Sequence, residues 1–412
     1  MMPGFVSRSL GMKGTNKEGW IEGCLQMVKT NKDIELAIAF PTQADNIIRE
    51  TKQGIKFLGF VEDVNHPEKY DSTVEAALGL ICEEYNPDVI HIFGTEFPHA
   101  LAMVRLGEWK SRTVIHLQGI MERCAQVYEA GIPKDVFEGL TFRDVIKHDS
   151  IVQQKEKYTR RALNERKVLL EAQNVCGRTA FDKAFMEEIN PSCRYFGLNE
   201  TLRSDFYGQE WKRENITPHT IFLSQGNIPL KGAHFAIEAI NLVKKKYSDV
   251  RLLIAGDKIT SYETFKDKLK ISSYGKYLRN LVVKNNLEDD VTFIGSISAR
   301  KMLSTFLSSE IFLMGSVIEN SPNSLGEAMI LGMPCIASNV GGIPSLCTDR
   351  KEVLMYDPYN SAELADRIIE LFEHPELEDQ LRIAARNRAL LTHDSIANYK
   401  MLLWIYETIA AR

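Results

Sequence analysis

Short runs of β-branched and aromatic residues alternate along this chain with longer stretches of helical periodicity. Repeated strand–helix–strand units of this kind fold into parallel sheets that are covered by helices. Five strands are predicted in the first half, at Ile34–Phe40, Lys56–Phe60, Val89–Phe93, Thr113–Leu117 and Asn174–Gly177. Six are predicted in the second half, at Thr220–Ser224, Val250–Ala255, Val291–Ile294, Ile311–Met314, Pro334–Ser338 and Val353–Tyr356. The predicted fold class is therefore α/β, with two successive doubly wound sheets.

The length of 412 residues is too great for a single core and indicates two domains. A polar stretch that ends at Pro218 marks the seam between them. We predict a first domain over 1–205, a second over 206–390, and an apolar C-terminal helix over 391–412 that packs back on the first domain.

The start of the first domain lacks an expected element. A doubly wound domain usually opens with a buried strand that leads into a glycine-containing turn, but this chain is polar up to Trp20. We therefore expect the first strand of the N-terminal domain to be missing, which would leave an unpaired sheet edge.

Charge and cysteine usage exclude several classes of protein. A formal net charge of -5 argues against a nucleic-acid binder. The seven cysteines form no Cys-x-x-Cys pair, which predicts reduced thiols and no metal site. We find no signal peptide and no run of about 18 apolar residues, so we expect a cytoplasmic protein.

The segment with the most chemistry follows the predicted strand at Ile311–Met314. It contains Glu319 and Glu327 around the start of a predicted helix over Pro322–Leu331. The amides of Asn323, Ser324 and Leu325 at this helix start predict an anion site. Each carboxylate can accept two hydrogen bonds from a vicinal diol, so one glutamate can hold a ribose and the other a hexose. The alternative is that the two glutamates are a helix cap and a solvated face.

Two glycine-containing turns follow other strands of the second half. Lys231-Gly232 follows the strand at Thr220–Ser224, and a lysine on such a turn can bind a phosphate. Gly341-Gly342 follows the strand at Pro334–Ser338, where paired glycines allow the backbone to approach a ligand closely. A solvated lysine and a plain turn are the alternatives.

In their order and spacing these residues resemble family 4 of the retaining glycosyltransferases, which have the two-domain GT-B fold. The resemblance covers nearly the whole chain and is most specific over about residues 220–345. It implies two Rossmann-like domains that face a cleft, with the acceptor on the first and the nucleotide sugar on the second. It also implies a nucleotide-sugar donor, no cofactor, no obligatory metal, and transfer with retention of configuration. We expect a UDP-sugar first, with a GDP-sugar as the alternative.

The resemblance assigns roles to the residues of the second half. Glu319 and Lys231 are the expected catalytic residues, and Glu327 is expected to hold the ribose. The family's arginine five or six residues before the lysine is replaced here by Gln225-Gly226. Arg178 from the first half is therefore a candidate for the missing cation.

Candidates in the first half are fewer. The resemblance places Gly19 in the first loop, whose backbone faces the diphosphate. Acceptor contacts are expected from polar residues that follow two strands, which are Glu96, His99, His116 and Gln118. His91 alternates within its strand and is interpreted first as a core histidine.

The basic helix around Lys155–Lys167 is interpreted first as a solvated face. Its alternative role is peripheral contact with the inner face of the plasma membrane or with a lipid-linked acceptor. A saccharide acceptor in capsule or other polysaccharide biosynthesis is expected from the resemblance. The other functions left open are a sugar-nucleotide epimerase, a glycoside hydrolase and a non-catalytic partner subunit.

Overall fold

The structure, a computed structural model, describes residues 4–12, 19–43 and 48–411. Its strands are β1 (Ala37–Thr42), β2 (Arg49–Lys52), β3 (Ile55–Val61), β4 (Ile90–Phe93), β5 (Thr113–His116), β6 (Asn174–Gly177), β7 (Arg194–Gly197), β8 (Thr220–Leu223), β9 (Arg251–Ala255), β10 (Val291–Gly295), β11 (Ile311–Met314), β12 (Cys335–Ser338) and β13 (Leu354–Tyr356). Every predicted strand has a counterpart, and β2 and β7 were not predicted. The α/β fold class is confirmed.

Helices fill the connections between most strands. They are α1 (Gly4–Leu10), α2 (Gly19–Val28), α3 (Thr73–Tyr85), α4 (Pro98–Arg105), α5 (Met121–Gln126), α6 (Lys134–Phe137), α7 (Phe142–Lys147), α8 (Ile151–Glu171), α9 (Ala180–Ile189), α10 (Ser204–Tyr207), α11 (Ala233–Val243), α12 (Phe265–Lys270), α13 (Ser273–Lys284), α14 (Ala299–Ser308), α15 (Asn323–Leu331), α16 (Ile343–Leu346), α17 (Ser361–Glu373), α18 (Pro375–Thr392) and α19 (Ser395–Ala410). Short 3₁₀ turns lie at Gly107–Arg112, Arg213–Asn215 and Pro229–Lys231.

The chain divides into two compact units. The first combines residues up to 122 with 158–204 and the residues from 392 onward, and the second combines 123–157 with 205–391. The sequence places all of 1–205 in one domain, whereas the segment 123–157 clusters with the second unit. Long-range contacts, which local sequence patterns do not encode, determine that assignment.

The first unit contains two separate sheets. One has the strand order β1-β3-β2, and the other is parallel with the order β4-β5-β6-β7. Among the described residues no strand precedes β1. The strand predicted at Ile34–Phe40 begins later, at Ala37, and extends through Pro41 to Thr42. Among the strands that the structure describes, β1 pairs only with β3, so the missing amide of Pro41 can be accommodated at this sheet edge.

The second unit is built on one six-stranded parallel sheet with the order β10-β9-β8-β11-β12-β13. The chain runs outward from β8 on one side, returns, and runs outward from β11 on the other. The order therefore reverses between β8 and β11. Ligands of open α/β sheets bind at the carboxyl ends of the strands at such a switch point.

The segment 123–157 is attached to the second unit by hydrogen bonds between buried groups. The imidazole Nε2 of His234 on α11 lies 2.7 Å from the carbonyl oxygen of Ala130. The amide of Ser273 donates to Asp144 Oδ2 at 2.9 Å, which joins the start of α13 to α7. Asp144 and His234 are almost completely buried, so water cannot substitute for these partners.

The C-terminal helix α19 packs within the first unit. Its residues Leu402, Ile405 and Ile409 are buried in a cluster that includes Val28 of α2 and Val114 of β5. In the part of the chain that the structure describes, we find no helix with the length and hydropathy needed to cross a bilayer.

Candidate functional site

Two loops meet at the switch point of the second unit because glycines let their backbones touch. Gly232, which follows β8, has a φ of 68°, and a Cβ there would lie 1.9 Å from the carbonyl oxygen of Gly315 after β11. The amide of Val317 donates to the carbonyl of Leu230 at 2.9 Å. Only glycine fits at position 232, and the two loops are fixed against each other.

This contact brings Lys231 and Glu319 together. Lys231 Nζ forms an ion pair with Glu319 Oε1, and the Ser316 hydroxyl donates to the same oxygen at 2.7 Å. The side chains of the lysine and the glutamate are 24% and 14% exposed, so solvent reaches both but screens them only in part. The two residues predicted to be catalytic are therefore neighbours.

A third loop, which follows β12, closes on the backbone of Glu319. Gly341 has a φ of 51°, and a Cβ there would lie 2.0 Å from the Glu319 carbonyl oxygen. The amide of Gly342 donates to that oxygen at 3.0 Å. The glycine pair thus approaches the chain itself, and it positions Glu319 by holding its backbone.

Helix α15 begins one residue later than predicted. Pro322 is the cap residue, with a φ of -70° and an extended ψ of 113°, and the helix runs from Asn323. Of the three amides predicted for an anion, that of Leu325 donates to the Pro322 carbonyl at 3.1 Å, within the first turn. Glu327 lies about one turn inside the helix from Asn323 and is 5% exposed. Its carboxyl group is therefore buried and is not part of a solvated face.

Two further polar groups at this edge were missed by the sequence analysis. Among the described residues, Asn227 Oδ1 and the Tyr356 hydroxyl are buried without a hydrogen-bond partner. Asn227 follows β8 and Tyr356 ends β13, so both lie at the carboxyl side of the sheet. Burial raises the pKa of Tyr356, so its hydroxyl stays protonated at neutral pH. Buried polar groups without partners are costly unless a ligand or water satisfies them.

Position 226, one of the two places where the resemblance leads us to expect an arginine, has no space for a larger side chain. A Cβ on Gly226 would lie 2.3 Å from Ile254 Cγ2 and 3.1 Å from Ala233 Cβ. A larger side chain would displace the packing of β9 against α11. Gln225 beside it is exposed.

In the first unit, three predicted residues meet at Glu200, which the sequence analysis did not select. Glu200 Oε2 accepts from Arg178 at 3.1 Å, and Glu200 Oε1 accepts from Gln118 Nε2 at 2.8 Å. His116 Nε2 lies 3.8 Å from Glu200 Oε1. Burial and, to a lesser degree, the charge of Arg178 lower the pKa of His116 to about 3. Glu200 follows β7, a strand that the sequence did not predict, so its position at a strand's carboxyl end gave no signal.

The other predicted residues of the first unit have different contacts. Glu96 Oε1 accepts from the Gly119 amide at 3.0 Å. His99 Nδ1 lies 3.0 Å from Glu62 Oε2, and Glu62 is 3% exposed. Gly19 begins α2.

One group of side chains among the described residues has the composition of a metal site. The ligand atoms of His91, His116 and Cys176 lie within 4.8 Å of one another. His91 Nδ1 is 2.9 Å from the Tyr406 hydroxyl, and burial lowers the pKa of His91 well below its usual value. These contacts agree with the interpretation of His91 as a core histidine.

Comparison with known proteins relates the second unit to a family. A sequence model described as "Glycosyl transferases group 1" matches residues 209–388. The putative glycosyltransferase YtcC of Bacillus subtilis is 28% identical over 203 residues, which are 48% of this chain and 47% of YtcC. The chain thus spans about half the length of that curated relative.

Solved structures extend the likeness to nearly the whole chain. Sucrose-phosphate synthase from Thermosynechococcus elongatus has a TM-score of 0.69 at 16% identity, and the match covers 94% of this chain and 92% of the synthase chain. Anabaena Alr3699/HepE, solved in complex with UDP-glucose, has a TM-score of 0.66 at 16% identity, and the match covers 97% of this chain and 98% of the HepE chain. At this identity the likeness establishes the fold. The chain therefore has the GT-B fold, and the model of the glycosyl transferases group 1 family matches its residues 209–388.

Proposed function

We propose that this chain is a retaining glycosyltransferase that takes a sugar from a nucleotide-sugar donor, with a UDP-sugar as the first candidate. The observation that carries the proposal is the Lys231–Glu319 ion pair at the switch point of the second sheet. A cation and two carboxylates beside a helix start match the diphosphate, the ribose and the hexose of such a donor. The complex of HepE with UDP-glucose, on the same fold, supports this choice of ligand.

The donor's diphosphate is assigned to Lys231 and to the first amides of α15, at Asn323 and Ser324. Charge that develops on the diphosphate as it leaves is stabilised by groups already in place, which is usually the largest contribution to catalysis. Because Lys231 is paired with Glu319 before the donor arrives, its ammonium group needs little reorganisation. The Leu325 amide is already used within the helix and contributes less than the sequence predicted.

The sugar portions are assigned to the two glutamates. Buried Glu327 accepts hydrogen bonds from the ribose hydroxyls, and Glu319 accepts them from the transferred hexose. Retention is proposed through attack on the same face that the diphosphate leaves, with a donor phosphate oxygen taking the acceptor's proton. No nucleophilic side chain and no metal ion take part in that scheme.

The acceptor is proposed to be a saccharide or a lipid-linked glycan that contacts the first unit. His116 and Gln118, which lie beside Glu200, are the first candidates for these contacts. Glu96 and His99 are further candidates, and both also form hydrogen bonds within the unit. We place the protein in the cytoplasm and its reaction in polysaccharide or glycolipid biosynthesis.

A second candidate function is a non-catalytic partner subunit of a glycosyltransferase. The observation in its favour is Gly226, whose packing against Ile254 leaves no space for the arginine usual in the family. A partner subunit of this kind is expected to bind a nucleotide sugar without transferring the sugar.

Two successive measurements test the proposal. Thermal unfolding with a panel of UDP- and GDP-sugars identifies the donor, because a ligand that binds only the native state raises the midpoint. Release of the nucleoside diphosphate is then followed with a mixture of saccharide and lipid-linked acceptors. A donor that stabilises the protein and is consumed supports the enzyme, and a donor that binds without any transfer supports the partner subunit. No stabilisation by any nucleotide sugar contradicts both.

A further inference from the structure

A cluster of large apolar side chains lies exposed on the second unit. We call it the apolar patch. Its members are Leu140, Phe142, Val145, Ile146, Phe265 and Leu269, with exposed fractions between 38% and 78%. Single exposed apolar residues are normal, but a group of six on adjoining elements marks an interaction surface.

The patch is carried by two helices that contact each other. Phe142, Val145 and Ile146 occupy one face of α7, at the spacing i, i+3 and i+4. Phe265 and Leu269 are one turn apart on α12, and α12 packs beside α7. Capping boxes at Thr141 and Thr264 fix the start of each helix. The apolar side chains are therefore presented by ordered backbone.

The segment that carries α12 is basic, although the whole chain is acidic. Residues 258–284 contain seven Lys and Arg against two Asp and Glu, a local charge of +5 in a chain of -5. Lys266, Lys268 and Lys270 on α12 are all exposed and alternate with its apolar residues. Apolar side chains beside lysines are complementary to the interface of an anionic bilayer, where acyl chains receive the former and headgroup phosphates the latter.

We propose that the apolar patch and the lysines of α12 dock this protein on an anionic lipid bilayer. The basic helix α8, which the sequence offered for this role, is a weaker choice because its cations have partners within the chain. Lys155 pairs with Glu129 at 2.6 Å, and Arg166 pairs with Glu122 at 3.2 Å. The proposal does not depend on the catalytic assignment.

Vesicle binding tests the docking surface with the full chain. Co-sedimentation is measured with vesicles of phosphatidylcholine alone and with vesicles that contain phosphatidylglycerol. We expect binding to the anionic vesicles only, weakened at least tenfold in Phe142→Asp/Phe265→Asp and again in Lys266→Gln/Lys268→Gln/Lys270→Gln. The matched controls are Leu391→Asp, at an exposed leucine of the same unit, and Lys351→Gln, at an exposed lysine. Both controls should bind as the wild type does.

A tryptophan placed in the patch reports on insertion directly. The fluorescence of Phe265→Trp should shift to shorter wavelength with anionic vesicles and be quenched by brominated acyl chains. Equal binding by the wild type and the Phe142→Asp/Phe265→Asp variant would overturn the proposal, as would the absence of any vesicle binding. A loss of dimer in that variant, without vesicle binding by the wild type, would instead assign the patch to contact between two copies of the chain.

Discussion

Lys231 and Glu319 form an ion pair although 88 residues separate them along the chain. The pair exists because β8 and β11 are adjacent in the sheet and because Gly232 allows their loops to touch. It places a cation and a carboxylate, both partly accessible, at the switch point of the sheet before any ligand is bound. Such preorganisation is what a site for a leaving diphosphate requires.

The ion pair should stabilise the fold modestly and matter far more for transfer. In a double-mutant cycle of Lys231→Met and Glu319→Gln, urea unfolding should give a coupling of about 1–2 kcal/mol, since both side chains are partly buried. Lys231→Met should reduce the transfer rate about a hundredfold or more.

Lys244 provides a matched control for that prediction. It forms a comparable part-buried ion pair with Asp290, which precedes β10 and so lies at the opposite end of the sheet. Lys244→Met should cost similar stability and leave transfer near the wild-type rate. Similar losses of transfer in both lysine variants would show that the effect is structural.

The glycine at position 232 should be irreplaceable for a reason of space as well as conformation. Gly232→Ala adds a Cβ in a left-handed conformation and 1.9 Å from a carbonyl oxygen, so we expect a loss of about 3 kcal/mol or more with weakened donor binding. The control Gly332→Ala has a similar φ, but the nearest atom to its Cβ is Cδ of the flexible Arg386 side chain at 3.3 Å, and the nearest backbone atom is 3.9 Å away. Gly332→Ala should therefore lower the free energy of unfolding by only about 1–2 kcal/mol. Urea unfolding measures the loss of stability in each variant. Equal losses in Gly232→Ala and Gly332→Ala would mean that the close approach of the two loops is unimportant.

Donor binding should not require a divalent metal. The chain contains no Asp-x-Asp pair in a suitable loop, and the diphosphate is assigned to Lys231 and helix amides. Calorimetric titration with UDP should give the same affinity in EDTA and in Mg²⁺ or Mn²⁺. Binding that appears only with added metal would remove this assignment.

His234 should make the protein less stable in acid. Burial lowers its pKa to about 4, while the unfolded chain has a value near 6.5. The unfolded state therefore binds more protons between these values, so this contribution is complete above about pH 6.5 and is lost as the pH falls to about 4. The difference corresponds to about 3 kcal/mol. Wild type should lose more stability than His234→Gln over this range in urea unfolding, and parallel curves would contradict the prediction.

Local patterns predicted the elements well because their determinants are local. The strands at Asn174–Gly177 and Ile311–Met314 have the predicted bounds, since short apolar runs define them. The short strand β2 is polar, with the sequence Arg-Glu-Thr-Lys, and exists by antiparallel pairing with β3. Such a strand cannot be predicted from hydrophobic alternation.

The candidate site was predictable in its motifs and not in its contacts. Lys231, Glu319 and Gly341 could be selected because each follows a strand, and parallel strands end at one edge of the sheet. Ser316 and Glu200 were missed, because their importance arises from the hydrogen bonds they make and not from their spacing. Asn227 is recognisable only by the burial of its unpartnered oxygen.

The most direct test of the account compares UDP and UDP-glucose binding to three glutamate variants by calorimetry. Glu327→Ala should weaken the binding of UDP by about 1–3 kcal/mol, because charged hydrogen bonds to the ribose are lost. Glu319→Ala should leave the affinity for UDP nearly unchanged and weaken only the binding of UDP-glucose. Glu352→Ala is the control, since Glu352 is equally buried but precedes β13 at the opposite end of the sheet. Unchanged UDP affinity in Glu327→Ala, or equal losses of UDP affinity in Glu327→Ala and Glu319→Ala, would contradict the proposed donor site.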